Sequence, residues 1–348
     1  MFYNGLDSEG SKGYVNYVSR ERANELNIAN VTYEDADPSV FGNQTSNQTN
    51  SLPMAMDKRK DALHEKEPFV YMSTSPTADG PRNSIRLEGL RRFNRGLFIL
   101  DLRHMPAGCA TWPAFWLSDE PNWPVNGEID ILEGVNLQSV AKIAMHTTNG
   151  CDMYDVPLGI KTGIWDTATG VPKQNGDIDT TVREARDCFV YNPHQWLNQG
   201  CVAIHDQAGT MGVPLNENGG GVFGKYRLQV VDRHPINFAT QLSKRYSCTI
   251  VLEWDPVNRF IKSWVFAPHT AVPDNLRNSM SSANDLETTN RVMPDPRTWG
   301  LPYAYFPIGK FFERVPFVSL FLCNNLNHIG NKQAKQLLVH QTTFAICI

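Results

Sequence analysis

Apolar residues along this chain recur mainly with period two, in short runs, and the runs begin late. The first clear one is Ser84-Ile85-Arg86-Leu87-Glu88, where alternation sends Ile85 and Leu87 to one face of a strand and their neighbours to the other. Leu97-Phe98-Ile99-Leu100 is unbroken and reads as a buried strand. Further strands are predicted at Ala114–Leu117, Glu128–Leu132, Ala141–His146, Cys248–Trp254, Phe260–Phe266 and Phe317–Cys323. Gly and Pro clusters separate them, and no long stretch sustains a 3.6-residue apolar period. The pattern predicts an all-β sandwich of two antiparallel sheets. Residues 150–245 and 268–310 are loop-heavy, and that much loop on a β scaffold builds a binding cleft. Residues 1–80 are polar and turn-rich, with a surface insertion over about 42–66 formed by an Asn/Gln/Ser/Thr stretch and the charged run Lys58–Lys66.

Composition narrows the class. At 348 residues, with 41% hydrophobic and 20% charged residues, the chain is long enough for one large sandwich with a sizeable core. A net charge of −4 with scattered Lys and Arg argues against nucleic acid and favours a neutral ligand such as polysaccharide. No run approaches the roughly 18 apolar residues of a membrane span, so no membrane partner is expected. Met1-Phe2-Tyr3-Asn4-Gly5 is not a signal peptide. Three N-x-Ser/Thr sequons, at Asn30, Asn43 and Asn47, nevertheless point to a secreted glycoprotein whose leader is missing from this version. The seven cysteines contain no C-x-x-C pair, and His104, His194, His205, His328 and His340 show no ligand spacing. No metal and no cofactor are predicted.

The chemistry concentrates in Gly127-Glu128-Ile129-Asp130-Ile131-Leu132-Glu133-Gly134. Glu128 and Asp130 share a face of a regular strand, and one extra residue taken up as a bulge brings Glu133 onto that face too. A solvated acidic edge would give the same letters. Three carboxylates on one face with no interleaved Lys or Arg are otherwise costly unless they work. A retaining glycosidase needs two carboxyl groups about 5–5.5 Å apart across the bond to be cut. Glu128 is the candidate nucleophile, Glu133 the acid/base, and Asp130 the group between them that keeps Glu128 ionised and Glu133 protonated. Trp112, Trp116 and Trp123 lie just upstream. Alone they would read as core; ahead of this strand they read as platforms for the flat C–H faces of sugars. His146 is a further candidate contact, although an isolated histidine is more often structural.

Gly96-Leu97-Phe98-Ile99-Leu100-Asp101, the run from His104-Met105-Pro106 to Trp112-Pro113-Ala114-Phe115-Trp116, Asn122-Trp123-Pro124, the acidic strand and His146-Thr147-Thr148-x-Gly150-Cys151 resemble the fungal-type laminarinases of glycoside hydrolase family 16. Weaker matches extend the resemblance from about residue 13 to 323. It implies a β-jelly-roll with a concave cleft and endo-cleavage of β-1,3- or mixed β-1,3/1,4-glucan. It also implies Glu128 as nucleophile, Asp130 as helper, Glu133 as acid/base and sugar contacts from Trp116, Trp123 and His146. The extra residue between Asp130 and Glu133 sorts the chain with laminarinases rather than xyloglucan-acting relatives. A disulfide between Cys151 and Cys201, joining two cleft loops, is implied by the resemblance alone. The partner would be a laminarin-like β-glucan, and the protein a monomer.

The chain departs from the family after Cys323, where Asn324-Asn325-Leu326-Asn327-His328 replaces a Cys-Gly-Asp-Trp-Ala-Gly motif. We therefore expect a catalytic domain over 1–323 and an atypical tail over 324–348, which is either a divergent closing strand or, if no true substitute for the family's ending, irregular and poorly packed. The latter would leave one side of Phe317–Cys323 unpaired. A non-catalytic β-glucan-binding protein and a glucan transglycosylase are the competing readings. The altered C-terminus favours the first, and retention of Glu128 and Glu133 speaks for chemistry.

Overall fold

The computed structural model describes residues 2–6, 13–33, 68–75, 80–217, 225–231, 248–267, 272–281, 293–308 and 342–347. Among these, two seven-stranded sheets form the body of the molecule. From edge to edge, the first runs Ile164–Trp165, Cys201–Ile204, Lys142–His146, Glu128–Glu133, Ala114–Ser118, Thr342–Cys347 and Arg86–Phe93. The second runs Ala304–Pro307, Phe260–Phe266, Cys248–Asp255, Gly96–His104, Lys225–Val231, Pro68–Met72 and Ala29–Tyr33. All pairings within both sheets are antiparallel. This is the sandwich that the alternating pattern predicts.

Within the Gly96–His104 strand, the packing shows why Leu97–Leu100 is apolar at every step. Phe98, Leu100 and Leu102 point into the main core beside Ile250, Leu252 and Phe115. Leu97 and Ile99 point the other way, into a second cluster with Val251, Trp264, Phe266, Leu276 and Trp299. A strand covered on both faces has no polar side to alternate with. The outer cover comes from the Asp274–Ser281 helix and the turn at Pro296–Thr298. There the Trp299 indole N–H donates to Asn275 Oδ1 at 2.6 Å and the ring meets Trp264 edge to face. The described helices are all short, and none is long and apolar enough to cross a membrane, which says nothing of a β-barrel.

Two expectations need correction. Thr342–Cys347 is not part of an irregular tail: it lies between Ala114–Ser118 and Arg86–Phe93, paired on both sides. Its Thr-Thr-Phe-Ala-Ile-Cys composition is β-branched and aromatic, which suits a strand in mid-sheet. Within the loop-heavy stretch 150–245, Lys225–Val231 takes a lane of the second sheet. Cys201 is bonded to Cys188, with Cα atoms 4.2 Å apart, rather than to Cys151. Cys151 lies alongside, its carbonyl accepting from the Cys188 N–H at 2.9 Å. Spacing in sequence does not fix connectivity, and here the 187–200 loop folds back on itself. Asn30 is exposed on the edge strand Ala29–Tyr33. Phe317–Cys323, the 42–66 insertion, Asn43 and Asn47 lie outside the described residues.

Candidate active site

The acidic strand carries the bulge that the sequence requires. On one side Ala114 faces Glu133, Trp116 faces Asp130 and Ser118 faces Glu128, with a register shift between Phe115 and Trp116. On the other, Lys142 faces Glu133, Ala144 faces Asp130 and His146 faces Glu128, with the matching shift between Lys142 and Ala144. Ile131 is the residue left over opposite Ala114–Ser118, and Ile131 with Leu132 faces the single residue Ile143 on the other side. In a regular strand Glu133 would fall on the core face with Ile129 and Ile131; the bulge turns it back and leaves Ile129, Ile131 and Leu132 buried. The apolar side of this strand anchors it, and the bulge gathers three carboxyls on the other.

Asp130 sits deepest, only 3% exposed. His146 Nε2 lies 2.8 Å from its Oδ2. Donor atoms of Glu128, Asp130 and His146 all fall within 4.8 Å of one another. This is also the one group among the described residues with three metal-capable donors so close together. Proton sharing within a buried carboxyl pair accounts for its composition. Burial pushes Glu128 well above the usual carboxylate range, and the neighbouring Asp130 charge adds to that while His146 opposes it, the reverse of the expectation that Asp130 keeps Glu128 ionised. Asp130 is pushed up as well, by burial first and then by the charge of Glu133. The pair holds protons more tightly than free carboxylates do.

The aromatic candidates take three different positions. Trp116 stands beside Asp130 across the register, with the Arg86 guanidinium 4.9 Å from its ring centre. Arg86 is in turn 4.6 Å from the Tyr3 ring centre and pairs with Glu88 at 3.0 Å and with Glu120. One face of Trp116 is thus covered by a cation–π stack rather than left as an open platform. Trp123 lies at the end of the Glu120–Asn122 turn, before a cis Trp123–Pro124 bond. The indole nitrogens of Trp116 and Trp123 are both buried without a hydrogen-bond partner among the described residues. Trp112 is half exposed, and its Nε1–H donates to Glu133 Oε1 at 2.7 Å.

Sequence reasoning missed several residues here. Ser118, buried opposite Glu128, was visible only once the register was known. Arg86 reaches Trp116 from another strand, with the Tyr3 ring also against its guanidinium, and no local pattern signals that. Gly200 packs against the far side of His146 at φ +66°, and a Cβ there would meet Met145 O at 2.2 Å and His146 Nδ1 at 3.0 Å. A glycine at positive φ beside Cys201 was the available clue.

With this geometry in hand, comparison with known proteins is decisive. The family model described as "XgeA-like, catalytic GH16 domain" matches residues 40–230, more than half of the chain. The chain belongs to glycoside hydrolase family 16. It is 29% identical over 323 residues to a probable glycosidase of Schizosaccharomyces pombe, covering 90% of this chain and 54% of that one. It is 30% identical over 306 residues to a probable endo-1,3(4)-beta-glucanase of Aspergillus fumigatus, covering 87% of this chain and 32% of that one. The chain therefore spans about a third to just over half of the length of these curated relatives. Among solved structures, it resembles an elongating family 16 beta-1,3-glucosyltransferase at a TM-score of 0.55 and 23% identity, over 99% of this chain and 76% of the other. It resembles laminarinase 16A of Phanerochaete chrysosporium at 0.54 and 23%, over 99% and 78% respectively. These two likenesses establish the jelly-roll fold.

Proposed function

We propose that this chain is the catalytic module of a secreted endo-hydrolase of β-1,3-glucan, able to accept mixed β-1,3/1,4 linkages and retaining the anomeric configuration. The observation that carries this reading is the bulge at Ile131, which aligns Glu128, Asp130 and Glu133 on one face. In the first step Glu128 attacks the anomeric carbon while Glu133 protonates the departing oxygen. In the second, Glu133 takes a proton from water, which releases the glycosyl group with its original β-configuration. Asp130, paired with His146 at 2.8 Å, stays beside Glu128 as that residue passes between carboxylate and ester, while the negative charge moves between Glu128 and Glu133. The buried indole N–H groups of Trp116 and Trp123 are unpartnered among the described residues, like that of the core residue Trp254. They support a hydroxyl-rich ligand through their place beside the carboxylates, because leaving such donors unsatisfied costs about 1–3 kcal/mol each. The Cys188–Cys201 disulfide supports folding in an oxidising compartment.

The test is reducing-end release from laminarin and lichenan, with the product anomer followed by NMR. Wild type should release β-product first, and Glu128→Gln should lose about 10⁴-fold or more while keeping its fold. Near-native activity in that variant, or an initial α-product, would overturn the assignment. A second reading, glucan transfer, is favoured by the fold likeness to an elongating glucosyltransferase. It predicts products longer than the substrate at high oligosaccharide concentration. Retention of all three carboxylates counts against a glucan-binding protein without catalysis.

A further inference from the structure

Trp112 has contacts that an open sugar platform does not need. It is 50% exposed, so burial of its ring does not hold it in place. What holds it is a backbone frame shared with Glu133. The carbonyls on either side of Trp112 both accept from the turn that follows Glu133: Pro113 O from the Gly134 N–H at 3.2 Å, and Thr111 O from the Asn136 N–H at 2.9 Å. Asn136, at φ 56°, closes the frame from the other direction. Its carbonyl accepts from the Gly108 N–H at 3.1 Å and its Oδ1 from the Ala110 N–H at 2.8 Å. The indole N–H then reaches Glu133 Oε1 at 2.7 Å. Trp112 cannot shift along the strand without moving the segment that carries Glu133.

We propose that Trp112 is a positioning residue for proton donation by Glu133, a step that rests on the acid/base reading above. With Oε1 occupied by the indole N–H, the transferable proton belongs on Oε2. During glycosylation that proton passes to the glycosidic oxygen. The bond from that oxygen to the anomeric carbon breaks, its electron pair stays on the oxygen, and a Glu128 carboxylate oxygen bonds the carbon. Negative charge appears on Glu133 as this happens, and a donor already aimed at it strengthens with the charge. In deglycosylation Glu133 starts charged and becomes neutral on taking the water proton, so the same hydrogen bond weakens. Trp112 therefore speeds the first half-reaction and not the second.

Trp112→Phe keeps the ring and removes the N–H. On laminari-oligosaccharides, whose leaving hydroxyl needs a proton, kcat/KM should fall about tenfold, the scale of one charge-assisted hydrogen bond. On a dinitrophenyl β-laminarioside, whose leaving group departs unprotonated, the loss should stay under about twofold. Asn136→Gly keeps the positive φ and removes the Ala110 clasp, and it should show a smaller loss with the same split. Equal losses on both substrates in both variants, or a raised KM with unchanged kcat, would overturn the proposal and make Trp112 a platform or a packing residue. Glu133→Gln run alongside separates the two levels. If it too fails to distinguish the substrates, the acid/base reading falls and takes this one with it. If it distinguishes them and the Trp112 and Asn136 variants do not, only the role of Trp112 falls.

Discussion

A carboxylate that must attack carbon has to be ionised, yet burial and the Asp130 charge both hold the proton on Glu128. Its acid limb should therefore lie above the ordinary Glu range near 4.3, with activity rising as pH climbs through the raised value. Asp130→Asn removes the neighbouring charge and should move that limb down in a pH profile of kcat/KM, at a cost in kcat from the lost partner of His146. An unmoved limb would mean that Asp130 does not set the ionisation of Glu128. The same shift has a stability sign. A carboxyl whose folded value is raised adds nothing below its unfolded value and destabilises the fold as pH rises past it. The site is thus least comfortable at the pH where it works. The three carboxylates were legible from spacing alone, since one extra residue in a strand has a fixed geometric effect. The Arg86–Trp116 stack and the Trp112–Glu133 bond were not, because they depend on which strands become neighbours.

Two elements flank the acidic strand and hold it differently. On the Trp116 side, sheet hydrogen bonds and the Arg86 stack supply the support. On the His146 side, the Cys188–Cys201 link closes a loop whose last residue before Cys201, Gly200, presses on the imidazole. Gly200→Ala places a methyl group into Met145 O and crowds His146 Nδ1 at a φ that L-residues seldom adopt. It should destabilise the protein by about 1–3 kcal/mol, and kcat at fixed temperature should fall more than KM changes. Thermal melting and steady-state kinetics on laminarin check this; unchanged values for both would show that the loop yields freely. Strand identities in this region were readable from Ala141–His146 and its neighbours. The disulfide was not, because spacing in sequence does not fix which cysteines pair.

At the scale of the whole molecule, alternation predicted the sandwich, and the doubly buried Gly96–His104 strand was visible as an unbroken apolar run. Order within the sheets was not visible, since period-two patterns say which face is buried but not who sits beside whom. The placement of Thr342–Cys347 is the clearest case. It joins Ala114–Ser118 to Arg86–Phe93, strands that precede it by well over 200 residues. During vectorial synthesis those two strands emerge early and wait, with an empty lane between them, until the distant segment arrives. Loop closure over that span is slow relative to local pairing, so the nascent protein spends most of its production time with two unsatisfied strand flanks. A chain ending before Thr342 should be recovered in aggregates rather than as soluble enzyme, and adding residues 342–348 as a separate peptide during refolding should restore solubility. Soluble, cooperatively melting truncated protein would show that the lane can be left open. If it cannot, closure of this sheet waits on a segment far along the chain, and copies lacking it are left open to quality control.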